Sequence, residues 1–354
     1  MSVHDRARPR PEHARPRVGG APPLRVHARS AVVGAVLLAA LACAAVTSLM
    51  TGEFPLTPGE VLATLVGRGA PGHEFVVLTL RMPRLLTALA VGAALAVSGA
   101  VLQRLLRNPL GSPDFIGLTE GSATGALVVI VMVGGSMLLT SAAALVGGLT
   151  TAALIYLLAF TRGVRQGRFV LVGIGIGAMA LAANSYLITR ARLEDALAAQ
   201  AWLVGSLGDV GYEQATAVGA AVAVFVPIAV ARSRALSLLE MGDDTAAGLG
   251  VRVERCKLVL IVVSVALAAV ATAATGPILF VALTAPQLAR RLTRTPSPGL
   301  VTSALTGALL LLTADLLVGW LFPTSMLPVG TATGLIGGLY LVWLLASQRR
   351  GRSR

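Results

Sequence analysis

Three stretches of this 354-residue chain carry no charged side chain: Ser30 to Gly52, Gly121 to Thr161 and Phe169 to Thr189. A bilayer core takes about 20 apolar residues of helix to cross. Lipid offers backbone groups no hydrogen-bond partner, so an open apolar run of that length must be helical. The runs also far exceed the roughly 10-residue strands of a membrane barrel. Hydrophobic residues make up 55% of the chain and charged residues only 13%, with a mean hydropathy of +0.80. A water-soluble domain carries about 25% charged residues, so a soluble enzyme is excluded. The expected fold class is an all-α, polytopic helical bundle.

Charge-free windows place ten spans. They cover about 31–50, 85–103, 115–133, 137–160, 169–189, 214–231, 258–275, 276–289, 300–319 and 328–347. Gly134-Gly135-Ser136 parts the third from the fourth, and Gly276-Pro277 breaks the chain between the seventh and eighth. Thr57-Pro58-Gly59-Glu60 reads as a cap opening a short helix within an otherwise polar stretch, 51–83. Residues 1–30 form a basic tail, 31–347 the membrane domain and 348–354 a second tail. The first tail is expected to be disordered. It resembles the start of a signal peptide, and Ala39 to Ala42 resembles a cleavage site. However, the uncharged stretch that follows is longer than a usual signal core, so an uncleaved first span is expected.

The formal net charge is +13, from 28 Arg and a single Lys, Lys257, against 16 acids. A basic balance can signal nucleic acid, but here the basic residues sit in short turns between spans. With ten spans, 24 of the 29 fall on the side that holds both tails. Only Arg68, Arg81, Arg84, Arg190 and Arg192 fall on the other. Basic residues collect on the cytoplasmic side, so both tails are expected in the cytoplasm, and no nucleic-acid partner is expected.

Residues for chemistry are few. Cys43 and Cys256 form no CxxC pair, His73 is the one histidine beyond the N-terminal tail, and no metal-ligand spacing occurs; neither metal nor cofactor is expected. A phosphate-cradling loop of the pattern GxxxxGK[ST] needs a lysine after glycine. Cys256 precedes the only lysine, so ATP, if used, is bound by another subunit. Two acids fall in apolar windows, Glu120 and Asp315. Intramembrane acids are expensive and functional by default. Asp315 fits either a hydrogen bond inside the bundle or a role in transport, while Glu120 can also snorkel to the surface.

Arg81-Met-Pro-Arg84, Gly92 to Gly99 with Gln103, Asn108-Pro-Leu-Gly-Ser-Pro113 and Ile116-Gly117 resemble the permease subunits of ABC importers for iron–siderophores, haem and cobalamin. So do Trp202, Gly205-Ser-Leu207, Leu239-Glu-Met-Gly242, Ala247-Gly-Leu-Gly250, Gly276 to Phe280, Pro286 to Arg290, Ala314-Asp315 and Leu327 to Gly330. The motifs run in the family's order from about 50 to 346. The resemblance implies ten helices, a second permease subunit (the same chain or a different one), two cytoplasmic ATPase subunits and an extracytoplasmic substrate-binding protein. It places the ATPase-coupling loop at 237–250, with Leu239, Gly242, Asp243, Ala246, Ala247, Leu249 and Gly250. It places binding-protein docking at Arg81 and Arg84. Gln287 stands where the family usually has His, Gly319 where it often has an external Arg, and Met326 where it has Glu. Two further readings stay open: an ion-driven secondary transporter with Asp315 or Glu120 as proton site, and an importer of cobalamin or haem.

Overall fold

The computed structural model describes residues 23–159, 166–322 and 327–352. Most of the N-terminal tail, the turn with Arg162 and Arg165, and Met326 lie outside the described residues. Fourteen helices and no strand occur among the described residues. They are α1 (Pro23–Met50), α2 (Pro58–Leu65), α3 (Pro71–Leu105), α4 (Leu118–Val133), α5 (Met137–Ala159), α6 (Gln166–Arg190) and α7 (Leu193–Val204). There follow α8 (Tyr212–Ala231), α9 (Ser233–Glu240), α10 (Asp243–Gly248), α11 (Val253–Thr275), α12 (Val281–Thr293), α13 (Leu300–Leu321) and α14 (Val329–Arg352). Seven of them, α1, α3, α5, α6, α8, α11 and α13, are long and apolar enough to cross a membrane. The third, eighth and tenth expected spans fall on α4, α12 and α14.

Helix α3 starts fourteen residues before the expected Leu85. Its 35 residues include a π-helical segment, Phe75–Arg81. At 1.5 Å per residue α3 is about 50 Å long. Arg81 and Arg84 hid this continuity, because both break the charge-free window. The helix passes through them because both guanidinium groups are satisfied inside the protein (below). The eighth span is shorter than expected and shifted along the chain. Gly276 and Phe280 both adopt positive φ, 71° and 68°. The chain therefore turns over five residues before α12 begins, and its 13 residues rise only about 20 Å. Within the polar stretch 190–213, the structure forms a twelve-residue helix, α7. The cap expected at Thr57 is a full capping box. The Thr57 backbone N–H donates to Glu60 Oε2 at 2.7 Å, and the Glu60 N–H donates back to Thr57 Oγ1 at 3.4 Å. Glu60, partly exposed, is held below the usual carboxylate range by the backbone and hydroxyl donors of Thr57.

Helix α3 is the axis of the fold. It packs against α8, α11, α12 and α13 and is buried over most of its length, as is α11. Small residues permit the close approach that membrane helices rely on in place of a hydrophobic driving force. A Cβ on Gly92 would lie 2.8 Å from Ala308 Cα on α13, and Gly307 faces Gly92 from the other side. Ser98 and Ser264 exchange hydroxyl hydrogen bonds between α3 and α11, with their oxygens 2.8 Å apart. The Gln103 amide donates to the Leu283 carbonyl of α12 at 3.0 Å. By contrast α1, α6 and α8 leave most of their apolar surface uncovered, as spans facing lipid or partner helices do.

Candidate coupling and docking sites

At the end of the bundle that is poor in arginine, the described residues include an ion pair between α3 and α13. Arg84 donates from Nε and Nη2 to Asp315 Oδ2 and Oδ1 at 2.9 and 2.7 Å. This is the two-pronged geometry that suits guanidinium and carboxylate. The Asp315 side chain is 6% exposed and that of Arg84 40%. The acid inside α13 is therefore held by a cation on α3, while the cation keeps one side open to water. Arg81, one turn earlier, donates to the carbonyls of Leu49, at 2.6 Å, and Phe54. It thereby ties the end of α1 and the loop after it to α3. The Tyr212 hydroxyl donates to the Leu78 carbonyl at 2.6 Å. The π-helical segment of α3 is thus held from two sides.

Removing the charge from Asp315 is expected to cost less than breaking a fully buried pair, because the Arg84 head group can rehydrate. Breaking fully buried pairs costs 3–5 kcal/mol; exposed pairs contribute about 0–1 kcal/mol. Asp315→Asn is expected to lower stability by about 1–2 kcal/mol, read as thermal unfolding in detergent.

The arginine-rich end carries the segment 237–250 as two short helices, α9 and α10, joined by Met241-Gly242. Gly242 takes a φ of 122°, open to glycine and strained for other residues. Asp243 and Asp244 open α10, where carboxylates suit the positive end of a helix. The segment has two faces. Leu239 and Ala246 are buried against the bundle. Met241, Ala247, Leu249 and Gly250 are exposed. The two alanines, alike in the sequence, thus point opposite ways: Ala246 roots the helix and Ala247 faces outward.

Ionic contacts root this segment in the spans. Glu240 receives hydrogen bonds from Arg104 on α3 and from Ser297 in the turn before α13, and Arg104 also donates to Ser237 at 2.7 Å. Asp243 accepts from Lys257 of α11 at 2.6 Å and from Arg107, just past α3, at 3.1 Å. Lys257, the one lysine, is only 5% exposed. These partners lie up to 136 residues apart in sequence, so no local pattern announced them. The only advance signal was the isolation of Lys257 next to an apolar span.

Glu120 and Gln287 lie inside the bundle. Glu120, two residues into α4, accepts from Asn184 of α6 at 3.1 Å, and Thr124 donates to Asn184 Oδ1 at 2.7 Å. Gly117 makes this approach possible: with φ at 79° it lies against Gly173 and Gly177 of α6, and a Cβ there would come within 2.7 Å of their backbone. Gln287 donates to Gln103 Oε1 at 2.6 Å and to the Pro109 carbonyl at 3.3 Å, joining α12 to the end of α3. Gly319 is exposed with open space around it. Among the described residues no group of three His, Cys, Asp or Glu side chains is placed to hold a metal ion.

A model of the FecCD transport family matches residues 13–347, nearly the whole chain. The chain belongs to the FecCD transport family. It is 42% identical over 316 residues to the Escherichia coli ferric enterobactin transport system permease protein FepG, covering 89% of this chain and 96% of that one. It is 36% identical over 314 residues to the Fe(3+) dicitrate transport system permease protein FecD of the same organism, covering 88% and 96%. Against a solved inward-facing conformation of a metal-chelate type ABC transporter, the TM-score is 0.81 at 29% identity. That match covers 90% of this chain and 99% of the other. As a FecCD chain, the protein is a membrane-spanning permease of the transport class, and its long helices are transport spans.

Proposed function

We propose that this FecCD chain is the membrane subunit of an ATP-driven importer that carries iron chelates, ferric siderophores first among them, across the cytoplasmic membrane. The near full-length match to FepG carries this reading. The chemistry of the chain supports it: its only lysine is preceded by cysteine and engaged with Asp243, so hydrolysis of ATP falls to separate subunits. The outward face of α9–α10, with Met241, Ala247 and Leu249, is the proposed seat of the ATPase subunit. Small and apolar side chains there suit close helix-in-groove docking. At the opposite end, the open side of Arg84, together with Arg81, is the proposed contact for acidic groups of an external binding protein. The uncovered faces of α6 and α14 are where a second permease subunit would seat. The distribution of basic residues supports a cytoplasmic position for both tails. The pairing of Asp315 with Arg84 and of Glu120 with Asn184 gives each acid a structural task, which favours the importer over an ion-driven carrier.

Two experiments test this. In a strain lacking its own ferric siderophore permeases, the chain co-expressed with its ATPase subunit should restore uptake from a panel of ferric siderophores. A lysine variant of the ATPase nucleotide loop should abolish that uptake. Uptake by this chain alone, driven by a pH gradient, would overturn the reading. For topology, single cysteines at Gly72 and Gly208 on a background free of Cys43 and Cys256 are expected to label from outside, and one at Gly167 only from inside. External labelling at Gly167 would reverse the orientation.

A further inference from the structure

Both proposed docking sites are ionically fastened to the same helix. At its outer end α3 carries Arg84, paired with Asp315. At its inner end it carries Arg104, paired with Glu240 of α9, and runs on to Arg107, paired with Asp243 of α10. Twenty residues separate Arg84 from Arg104, about 30 Å of helix at 1.5 Å per residue. Between them α3 has little room to slide or yield. Gly92 lies in backbone contact with α13, Ser98 is bonded to α11 and Gln103 to α12. Close-packed helices move as rigid bodies rather than deforming continuously.

The inner fastening is double, and it brackets a joint. Glu240 ends α9, Asp243 opens α10, and only Met241-Gly242 lies between them, with Gly242 in its open conformation. Arg104 is 7% exposed and Glu240 21%. Water therefore competes little for that pair, whereas Arg107 and Asp243 are about two-fifths exposed. A push on the outward face of α10 reaches Asp243 and Glu240 before any other polar contact with the spans. Both acids hand it to the end of α3, Asp243 sharing it with Lys257 of α11 and Glu240 with Ser297 before α13.

We propose that Arg104 and Arg107 are positioning residues that fasten the coupling segment to α3, so that α3 carries the movement of the ATPase subunits to the outer docking end. The proposal rests on the importer reading above. It separates the contact that binds the ATPase, on Met241, Ala247 and Leu249, from the contact that transmits its movement.

The test uses the whole complex with its ATPase subunits. A spin label at Gly72→Cys, in the outer part of α3, paired with a label at the matching outer position of the second permease subunit, reports the distance between the two subunits, with and without vanadate-trapped ATP. In the wild type, trapping should shift that distance. In the combined variant Glu240→Gln with Arg107→Gln, the docking face is unchanged. The complex should assemble and vanadate should still stop ATP hydrolysis, but the outer shift should be lost. Ferric siderophore transported per ATP hydrolysed should fall about tenfold, within the range of coupling between distant sites. An outer shift and a transport ratio equal to the wild type would overturn the proposal. If the combined variant fails to assemble, Glu240→Gln and Arg107→Gln decide singly: each should reduce the outer shift, Glu240→Gln more because its pair with Arg104 is the more buried, and wild-type shifts in both would overturn the proposal. A wild-type complex that shows neither ATP-dependent transport nor an outer shift would instead overturn the importer reading itself.

Discussion

Replacing Ala247 with arginine should abolish co-purification of the ATPase subunit and transport together, while leaving the amount of membrane-inserted protein unchanged. Ala247 is exposed on α10, so the substitution meets no neighbour inside the chain and does not disturb the fold. On the proposed docking face, a bulky charge would have to be buried without a partner. Overpacking costs 1–3 kcal/mol, and an uncompensated charge adds several more. A loss of nearly a thousandfold in association follows if the two together reach about 4 kcal/mol. Ala246→Arg should behave differently: Ala246 is fully buried, so that variant should lose folded protein rather than association alone. The control is Gly167→Arg, at the same end of the bundle, where a Cβ meets nothing within 4 Å. Ser297, which its place in a turn at the arginine-rich end would suggest as a control, is unsuitable because its hydroxyl donates to Glu240. Retention of the ATPase subunit and of transport by Ala247→Arg would show that the partner docks elsewhere.

The second large effect is expected at Gly92. A leucine there would drive its Cβ into backbone atoms of Gly307 and Ala308, which cannot rotate away as a flexible side chain can. Helix α3 and α13 would have to separate along their most intimate contact. The expected loss is on the order of 3 kcal/mol or more, beyond ordinary overpacking. It would be read as a lower unfolding temperature in detergent and less folded protein in the membrane. Gly175→Leu, where a Cβ would meet open space on α6, should insert and unfold like the wild type. Equal unfolding temperatures for the two variants would contradict the packing of α3 described above. The same displacement would strain the Arg84–Asp315 pair, since both partners lie C- or N-terminal to that contact on the two helices concerned.

Much of the architecture was legible because a bilayer imposes a one-dimensional rule. Charge-free length reports a span without knowledge of any neighbour, and α1, α5, α6, α8, α11 and α13 were read that way. The rule failed where charges were satisfied internally. Arg81 and Arg84 concealed the first part of α3, because the sequence does not show that Leu49, Phe54 and Asp315 receive their protons. It also set the eighth span too early in the chain, since two positive-φ residues hold the stretch before Val281 out of the helix. The helix at 243–248 was readable from local cues: acids at its start, alanines within and glycines at its end.

What the sequence alone determined is therefore what depends on short-range order and on the solvent. That covers the all-helical membrane class, most of the spans, the absence of a phosphate-binding loop and the short helix at 243–248. Tertiary structure decided which residues share a charge and which side of a helix meets the bundle. Ala246 and Ala247 are neighbours of one residue type, and only packing sends one inward and the other out. Arg84 with Asp315, Arg104 with Glu240 and Lys257 with Asp243 are fixed by how α3 lies against α13 and α9, and α11 against α10. Ion pairs act through distance in space, and separation along the chain carries almost no information about that distance once helices of 20 residues or more have folded back on themselves.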